Sequence, residues 1–325
     1  MENAEIEKAE CPICGDSAVE YQTVDGKTTE CLNDECASVT IPEVVQEIEN
    51  QADTPGVTTL IYDSGETQLQ EFSARIRGNT LFDMTQKLLS LVDKARLEIF
   101  SDRIHIRAVG PRNVAMLDYT LSNAEFEEYH YHADIKKFAE NDSEIPSKIG
   151  VDVVKINRFL KSLGAKAKKE LFDIILDVEA QKMILCAGDL RYTFGLISQN
   201  EMSAPKIPNL NLCYELEITD SREIVKGIRA FSTVCDFLKI ETDGGNTVKV
   251  SCEGDTDNAS FPIYGVVRQS NPATSKFPTE YMAKILKSMR SEEITLKMGN
   301  DYPIRLESRK GQTIFLLAPR IESSD

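Results

Sequence analysis

Asp152-Val-Val-Lys-Ile-Asn-Arg-Phe-Leu-Lys-Ser-Leu-Gly164 has the periodicity of an amphipathic α-helix. The apolar face of this segment holds Val153, Ile156, Phe159, Leu160 and Leu163. Lys155, Arg158 and Lys161 follow one another at steps of three along a second face. Asp152 precedes the first turn, where a capping side chain and the helix dipole favour an acid. The segment therefore predicts a helix that packs on a core and presents basic side chains.

Three other segments combine an apolar helical face with a basic one. They pair Lys87 and Lys94 with Leu81, Met84, Leu88, Leu91 and Val92; Arg222, Lys226 and Arg229 with Ile224, Val225, Ile228 and Phe231; and Lys284, Lys287 and Arg290 with Met282, Ile285, Leu286 and Met289. Apart from Asp93, their acids lie in or just before the first turn. One charged stripe is usually a solvated helix face, but four basic stripes in a chain of net charge −16 favour a polyanionic partner.

The acidic excess of the chain is confined to its start. Residues 1–66 hold 16 Asp and Glu against two Lys, whereas residues 67–325 hold 37 acids against 35 Lys and Arg. The net charge is thus −14 in the first segment and −2 in the second. The larger segment can therefore carry a positive surface although the whole chain is acidic.

Length and composition predict a globular protein of two or three domains. The chain has 325 residues, 41% of them hydrophobic, which is enough to bury substantial cores. No apolar run approaches the roughly 20 residues of a membrane span, and Met1 to Glu10 lacks the character of a signal peptide. We therefore expect a cytoplasmic protein.

Four of the eight cysteines have the spacing of a zinc ribbon. The first pair is Cys11-Pro-Ile-Cys14-Gly, and sixteen residues separate Cys14 from the second pair, Cys31-Leu-Asn-Asp-Glu-Cys36. Four thiolates close a tetrahedral Zn²⁺ site, and metal binding would supply the folding free energy of so short a segment. Iron in a rubredoxin-like site and free thiols are the alternatives, because the second pair is separated by four residues instead of two. The scattered Cys186, Cys213, Cys235 and Cys252 are interpreted as core residues.

The rest of the chain shows a weak internal repeat around a proline-rich linker. Short alternating stretches, Arg96 to Arg107, Val114 to Leu121, Phe172 to Val178 and Arg191 to Ile197, predict antiparallel strands before it. Basic helices and strands follow it in the same order, so each half is predicted as α+β with its helices on one face of the sheets. The predicted domains are a zinc ribbon (1–40), an acidic linker (41–66), a first domain (67–198), a connecting linker (199–213) and a second domain (214–325).

Several segments resemble the DNA sliding clamps of the proliferating cell nuclear antigen family, most closely the archaeal ones. The resemblance covers about residues 79–322. The segments that carry it are Phe315-Leu-Leu-Ala-Pro-Arg-Ile-Glu322, Ile104-His-Ile-Arg-Ala-Val109 with Asn113-Val-Ala-Met116, Lys182 to Phe194, and Ala204-Pro-Lys-Ile-Pro208. The resemblance implies two similar clamp domains of antiparallel sheets with inner helices. The zinc ribbon is not a usual part of this family.

The family resemblance implies a processivity factor and not an enzyme. Three two-domain subunits of such a clamp form a ring around duplex DNA, without reading its sequence, and tether replication and repair enzymes. The residues assigned to the DNA channel are Lys87, Lys94, Lys155, Arg158, Lys161, Arg222, Lys226, Arg229, Lys284, Lys287 and Arg290. Expected partners are double-stranded DNA, a DNA polymerase, a clamp loader and other enzymes with clamp-binding peptides. Such a clamp would be associated with the nucleoid, and a viral origin stays open.

The resemblance also implies a pocket for a partner peptide beside the linker and the C-terminal tail. The matching positions are Val114, Met116, Ile207, Pro208, Leu210, Leu212, Pro303, Leu316, Ala318, Pro319 and Ile321. An aromatic residue is common in the family at the position of Leu316, so we expect a differently shaped pocket.

Subunit contacts are expected between edge strands at Leu190 to Ile197 and Asn246 to Glu253. A homotrimer follows from the resemblance, and a hetero-oligomeric ring stays open. Residues 124–148 form a longer, polar insertion than the family pattern predicts.

Two other classes of function are compatible with parts of the sequence. An enzyme would need a catalytic motif, and the nearest candidate, His130 and His132 beside Glu127 and Glu128, is better explained as a surface strand or loop. An accessory factor that tethers transcription machinery is the stronger alternative, because of the zinc ribbon. The ribbon itself is too acidic for phosphate binding, so we expect it to dock a protein or to compete with DNA for the basic helices.

Overall fold

The structure is a computed structural model that describes residues 7–10, 17–23, 26–31, 72–131, 146–177, 180–198, 202, 206–254, 256–290, 292–308 and 311–321. The chain divides into two compact units, Met1–Gln68 and Leu69–Asp325. The described part of the first unit is a three-stranded antiparallel sheet of β1 (Glu7–Glu10), β2 (Ser17–Thr23) and β3 (Gly26–Cys31). Cys31 ends β3, whereas Cys11, Cys14 and Cys36 lie outside the described residues.

The second unit begins with eleven strands and helices before the linker. In order they are β4 (Phe72–Arg77), α1 (Gly78–Leu89), β5 (Lys94–Ile99), β6 (Arg103–Val109), β7 (Ala115–Ser122), β8 (Phe126–Tyr131), β9 (Ser147–Asp152), α2 (Val153–Ser162), β10 (Leu171–Asp177), β11 (Lys182–Ala187) and β12 (Leu190–Gly195). Short 3-10 turns at Pro111–Asn113, Asn123–Glu125 and Ala165–Lys169 connect some of them.

The same order of elements recurs after the linker. The second series is β13 (Tyr214–Ile218), α3 (Arg222–Phe231), β14 (Phe237–Thr242), β15 (Thr247–Glu253), β16 (Asn258–Tyr264), β17 (Val266–Ser270), β18 (Ala273–Pro278), α4 (Thr279–Ser288), β19 (Ile294–Met298), β20 (Ile304–Ser308) and β21 (Thr313–Leu317). Each series reads strand, helix, five strands, helix, three strands. We call the two series the first half and the second half.

The sheets of the two halves are also equivalent. The first half contributes the strand orders β12-β11-β10-β4-β8 and β7-β6-β5-β9, and the second half contributes β21-β20-β19-β13-β17 and β16-β15-β14-β18. Pairing of β21 with β7 joins one sheet from each half into a nine-stranded sheet. In the repeat, β12 is the counterpart of β21 and β16 is the counterpart of β7. Both of these counterparts are outer strands of their sheets within the described chain.

Alternating apolar residues explain why the helices lie against the sheets. Strands such as β6 and β13 bury every second side chain, and each helix buries its apolar face on the same core. In α2, the carboxylate of Asp152 accepts the backbone N–H of Lys155 at 3.0 Å, as the sequence predicts for a cap. The predicted α+β fold with antiparallel sheets is therefore confirmed, while the zinc ribbon stays a prediction.

The structure corrects one helix boundary and refines two other sequence-based segments. Lys94 is the first residue of β5 and not part of a helix, because α1 ends at Leu89. Arg96 to Arg107, predicted to form antiparallel strands, lies in the hairpin of β5 and β6. Residues 124–148 contain β8 and the start of β9, so the segment is not merely a polar insertion.

The expected subunit edge at Asn246 to Glu253 was also wrong. That segment forms β15, which pairs on both sides within its own sheet, whereas β16 is the outer strand. The other expected edge, near Leu190, corresponds to the outer strand β12.

Candidate nucleic-acid interface

Three of the four helices present their basic side chains to solvent. The apolar positions of α2, α3 and α4 are buried, which leaves Lys155, Arg158, Lys161, Arg222, Lys226, Arg229, Lys284, Lys287 and Arg290 exposed on or just after these helices. The predicted basic faces therefore exist on these three elements. A duplex lying along them would meet ammonium and guanidinium groups that bind phosphate but read no base.

Some of these bases are paired with acids of their own helix start. Arg222 binds Asp220 at 2.8 Å, Lys226 binds Glu223 at 2.6 Å and Lys284 binds Glu280 at 2.6 Å. Hydrogen bonds from Arg222 lower the pKa of the Asp220 carboxyl to about 2. Exposed pairs of this kind are weak, so a phosphate can replace the carboxylate at small cost.

Other bases have no such partner. Within the described parts of the chain, no ion pair involves Arg158, Lys161, Arg229, Lys287 or Arg290. Lys155 has only a long contact, 4.0 Å, with Asp152. The free bases are the groups through which the helices can attract an anion without first losing an internal contact.

Lys87 does not belong to this surface. Its side chain is only 5% exposed, and its Nζ atom contacts the carboxylate of Asp83 and lies 2.9 Å from Oε1 of Glu292. The ammonium group also lies 5.5 Å from the centre of the Tyr119 ring. Because Glu292 follows α4, this buried group connects the first helix of one half to the last helix of the other. The assignment of Lys87 to a DNA channel was wrong, since its charge is enclosed by the protein.

Three exposed lysines beside α2 escaped the sequence-based assignment. Lys166, Lys168 and Lys169 lie in the 3-10 turn that follows Gly164. The helical pattern ends at that glycine, so a criterion based on helical spacing does not include them. The sequence Ala-Lys-Ala-Lys-Lys is nevertheless a recognisable run of positive charge. With Lys161 they form a group that we call the lysine cluster.

The net charge of the four helix segments differs. Residues 152–170 hold six Lys and Arg against two acids, a net charge of +4. Residues 78–94 hold two of each, residues 220–236 three of each and residues 279–293 three of each, so these segments are neutral. The positive charge of the helices is therefore concentrated on α2 and the turn after it.

The expected peptide-pocket residues differ in burial: Met116 and Leu316 are buried, and the others are half-buried or exposed. Met116 and Leu316 face each other across the β7 and β21 pair, and both are buried. The amide of Ala318 donates to the carbonyl of Val114 at 2.8 Å, which fixes the chain just after β21. Strand alternation turns Met116 and Leu316 away from the helices, because Ala115 and Leu117 belong to the core.

Apart from Val114, the half-buried and exposed residues lie in the linker, in the loop before β20 and in the tail. Ile207, Leu210 and Leu212 are half-buried, as are Pro303, Ala318 and Pro319, whereas Pro208 is exposed and Ile321 is 74% exposed. The linker end is held by the amide of Cys213, which donates to Met298 at 3.0 Å. Backbone bonds from Arg320 to Lys276 and from Asp301 to Thr274 hold the tail and the Pro303 loop along β18.

Comparison with known proteins identifies the family. No family model matches the sequence. The DNA polymerase sliding clamp of Methanocella arvoryzae is 32% identical over 262 residues, which is 78% of this chain and 99% of the relative. The corresponding clamp of Methanococcoides burtonii is 31% identical over 261 residues, with the same coverage. The chain belongs to the DNA polymerase sliding clamp family.

A solved clamp structure agrees with this assignment. The A. fulgidus clamp, determined with the C-terminal region of FEN-1 bound, is 27% identical and has a TM-score of 0.66 over 78% of this chain and all of its own. The clamp of Entamoeba histolytica, at 16% identity and a TM-score of 0.68, shows the fold alone. The predicted sliding clamp, a non-enzymatic processivity factor of DNA replication, is thus confirmed.

Possible metal sites and membrane-spanning helices can be assessed only for the described residues. The described residues contain no group of three or more His, Cys, Asp and Glu that could hold a metal ion, but three of the four predicted ligands lie outside them. His130 lies on β8, 4.0 Å from Glu128, and His132 is outside the described residues. Of the helices described, none is long and apolar enough to cross a membrane.

Proposed function

We propose that copies of this clamp form a closed ring around duplex DNA and tether replication and repair enzymes to it without sequence preference. The observation that carries the proposal is the row of exposed bases on α2, α3 and α4, on the sides of these helices that face away from the sheets. Lysine and arginine that meet phosphates give salt-dependent affinity without base recognition, which suits a protein that slides. The cytoplasm, at the nucleoid, is the expected location.

The internal repeat supports a specific mode of assembly. Within one chain, β21 of the second half pairs with β7 of the first half. Their counterparts β12 and β16 are outer strands, so β12 of one copy can pair with β16 of the next in the same manner. Such a contact joins unlike surfaces, and it produces a ring when the rotation between copies closes. We propose a homotrimer, in line with the family resemblance.

The repeat also gives a register for this contact. Phe315 faces Leu117 and Thr313 faces Tyr119 in the intrachain pair. The equivalent positions would place Tyr192 opposite Ala259 and Leu190 opposite Phe261 between copies. Leu190 is 47% exposed in the single chain, so the proposed pairing would cover an apolar side chain.

The linker and tail are the proposed docking site for partner peptides. Apolar residues of the linker and the tail are exposed or half-buried, and Ile321 is too exposed for a core residue. The tail is bonded to β18 and the end of the linker to β19. A short peptide with a hydrophobic plug would cover these apolar residues. Proposed occupants are segments of a polymerase, a clamp loader or a nuclease.

Zinc is the proposed metal of the first unit. Of the four predicted ligands, only Cys31 lies within the described residues, where it pairs with Ala18 between β3 and β2. Four thiolates spaced as two pairs in the sequence suit a structural Zn²⁺ ion that is closed to chemistry. Metal analysis of the full chain should give one zinc per chain. Iron, or no metal, would contradict the assignment.

Retention on circular DNA tests the sliding function. The full chain is loaded by its clamp loader onto a nicked circle, and the bound fraction is followed by gel filtration. A ring should stay on the circle, leave when the circle is cut, and stimulate polymerase processivity. Retention on linear DNA with free ends would contradict the ring and would favour a factor that recognises a DNA structure or tethers transcription machinery.

A further inference from the structure

We propose that the lysine cluster, Lys161, Lys166, Lys168 and Lys169, is a second phosphate-binding site for duplex DNA, at the rim of the hole. This inference rests on the proposed function, because it places the cluster relative to a ring that encircles DNA. It differs from the helix faces in position, since three of the four lysines lie beyond the end of α2.

The turn that carries the lysines is fixed to the neighbouring helix. Ala167, at its centre, is completely buried. A Cβ atom at Gly78 would lie 1.9 Å from the carbonyl oxygen of Ala167, so only glycine allows this close backbone approach. The Gly78 amide also donates to the carbonyl of Glu170 at 2.8 Å. The lysines therefore project from a held backbone and not from a free loop.

The side chains themselves are exposed and without acidic partners. Within the described residues, no ion pair involves any of the four lysines. The Nζ atom of Lys168 lies 5.6 Å from the centre of the Phe82 ring, a contact that orients it without neutralising it. Like charges gathered in a short segment repel one another, so the arrangement costs energy until an anion binds. The structure thus holds a preformed positive site.

The equivalent position in the second half shows that the fold does not require these lysines. There α4 is followed by Arg290, Glu292 and Glu293. The carboxylate of Glu292 forms an ion pair with Lys87. Lys161 in the last turn of α2 complements the helix dipole, but the lysines of the following turn lie beyond its reach. Packing within the chain and the helix dipole leave the concentration of charge unexplained, whereas a phosphate backbone accounts for it.

The cluster lies at one end of an antiparallel helix pair. Contacts of Ala167 and Lys168 with Gly78 and Phe82 bring the turn after α2 to the start of α1. In a ring whose helices line the hole, the end of this pair lies where the duplex passes out of the hole. Each subunit would then contribute one set of phosphate contacts at the rim, in addition to those inside.

The test compares two full-chain variants of equal charge. In the first, Lys166→Gln, Lys168→Gln and Lys169→Gln neutralise the turn. In the control, Lys182→Gln, Lys239→Gln and Lys249→Gln remove three lysines from strands β11, β14 and β15. Lys182 and Lys249 are exposed and Lys239 is half-buried, and the last two contact Glu241. Equilibrium threading onto a linear duplex is measured from about 50 to 200 mM salt, with circular dichroism melting as the check on folding.

The first variant should show a slope of log K against log salt that is shallower by about 1–3, because each lost phosphate contact removes about 0.9. The control should keep the slope of the unmodified clamp. An unchanged slope in the first variant would overturn the proposal. Tighter binding would also overturn it, and is the result expected if the lysines instead hold the acidic segment 1–66.

Retention on circles separates this proposal from the sliding function. If the unmodified clamp stays on nicked circles and the first variant has an unchanged slope, only the rim site fails. If the unmodified clamp is not retained, the ring itself fails.

Discussion

The second helices of the two halves, α2 and α4, occupy equivalent places in the repeat, but the segments that follow them carry charges of opposite sign. Helix α2 leads into a turn of three free lysines, whereas α4 leads into two glutamates, one of which binds the buried Lys87. Both helices bury the same kind of apolar face on the same arrangement of strands. Packing therefore constrains the core of each half alike and leaves the surface charge free to differ.

The difference indicates a division of roles between the halves. The first half carries most of the unpaired positive charge of the described helices, while the segment after α4 supplies an acid that helps to connect the halves. The two halves of this repeat thus differ in surface charge although their folds are equivalent, and the proposed ring would present that difference to the duplex once per subunit.

The largest predicted effect concerns the connection between the halves. Lys87→Met should lower the free energy of unfolding by about 2–3 kcal/mol, because the enclosed ammonium group would no longer offset the carboxylates of Asp83 and Glu292. The value is below that of a fully buried pair, since Asp83 is 43% and Glu292 25% exposed. Thermal unfolding should shift down by about 5–10 °C.

Lys284→Met is the matched control in the second half. Its pair with Glu280 is more than half exposed on both sides, so its loss should change stability by less than about 0.5 kcal/mol. Equal shifts for the two variants, measured by calorimetry, would mean that Lys87 does not stabilise the fold through its burial.

A smaller predicted effect is a pH dependence of stability that comes from the first half and not from the second. His105 lies 3.2 Å from both carboxylate oxygens of Asp118 and 3.4 Å from Glu98, with Arg107 also bound to Asp118 at 2.6 Å. The hydrogen bond with Asp118 raises the pKa of His105. Burial raises the pKa of Asp118, but hydrogen bonds from His105 and Arg107 outweigh it and lower that pKa overall.

The sign of the pH effect follows from the raised pKa of His105. Its contribution to stability is complete below the unfolded pKa of about 6.5 and is lost as pH rises through the higher folded value. The melting temperature should therefore fall between pH 6 and pH 8, and His105→Gln should remove this slope. The corresponding hairpin of the second half holds Glu241 between Lys239 and Lys249, without a histidine. A slope that survives the substitution would refute the assignment to His105.

Local patterns predicted the elements of this clamp better than their charge partners. The strands Ile304–Ser308 and Thr313–Leu317, and the capped start of α2, follow directly from alternation and helical spacing. The burial of Lys87 could not be predicted, because its partner Glu292 is distant in sequence and only the fold brings them together. The lysines after Gly164 could be recognised in the sequence as a run of positive charge, but they lie beyond the segment with helical spacing.

Salt-dependent DNA binding by matched variants tests the central claim most directly, which is that the clamp binds duplex DNA through exposed helix bases and mainly through those of the first half. Arg158→Gln with Lys161→Gln is compared with Lys287→Gln plus Arg290→Gln, each removing two unpaired bases from equivalent helices. The first pair should reduce the slope of log K against log salt by about 1–2, and the second by less than about 0.5, because Glu280 and Glu293 repel phosphates there. Equal losses, or a larger loss for the second pair, would contradict the asymmetry.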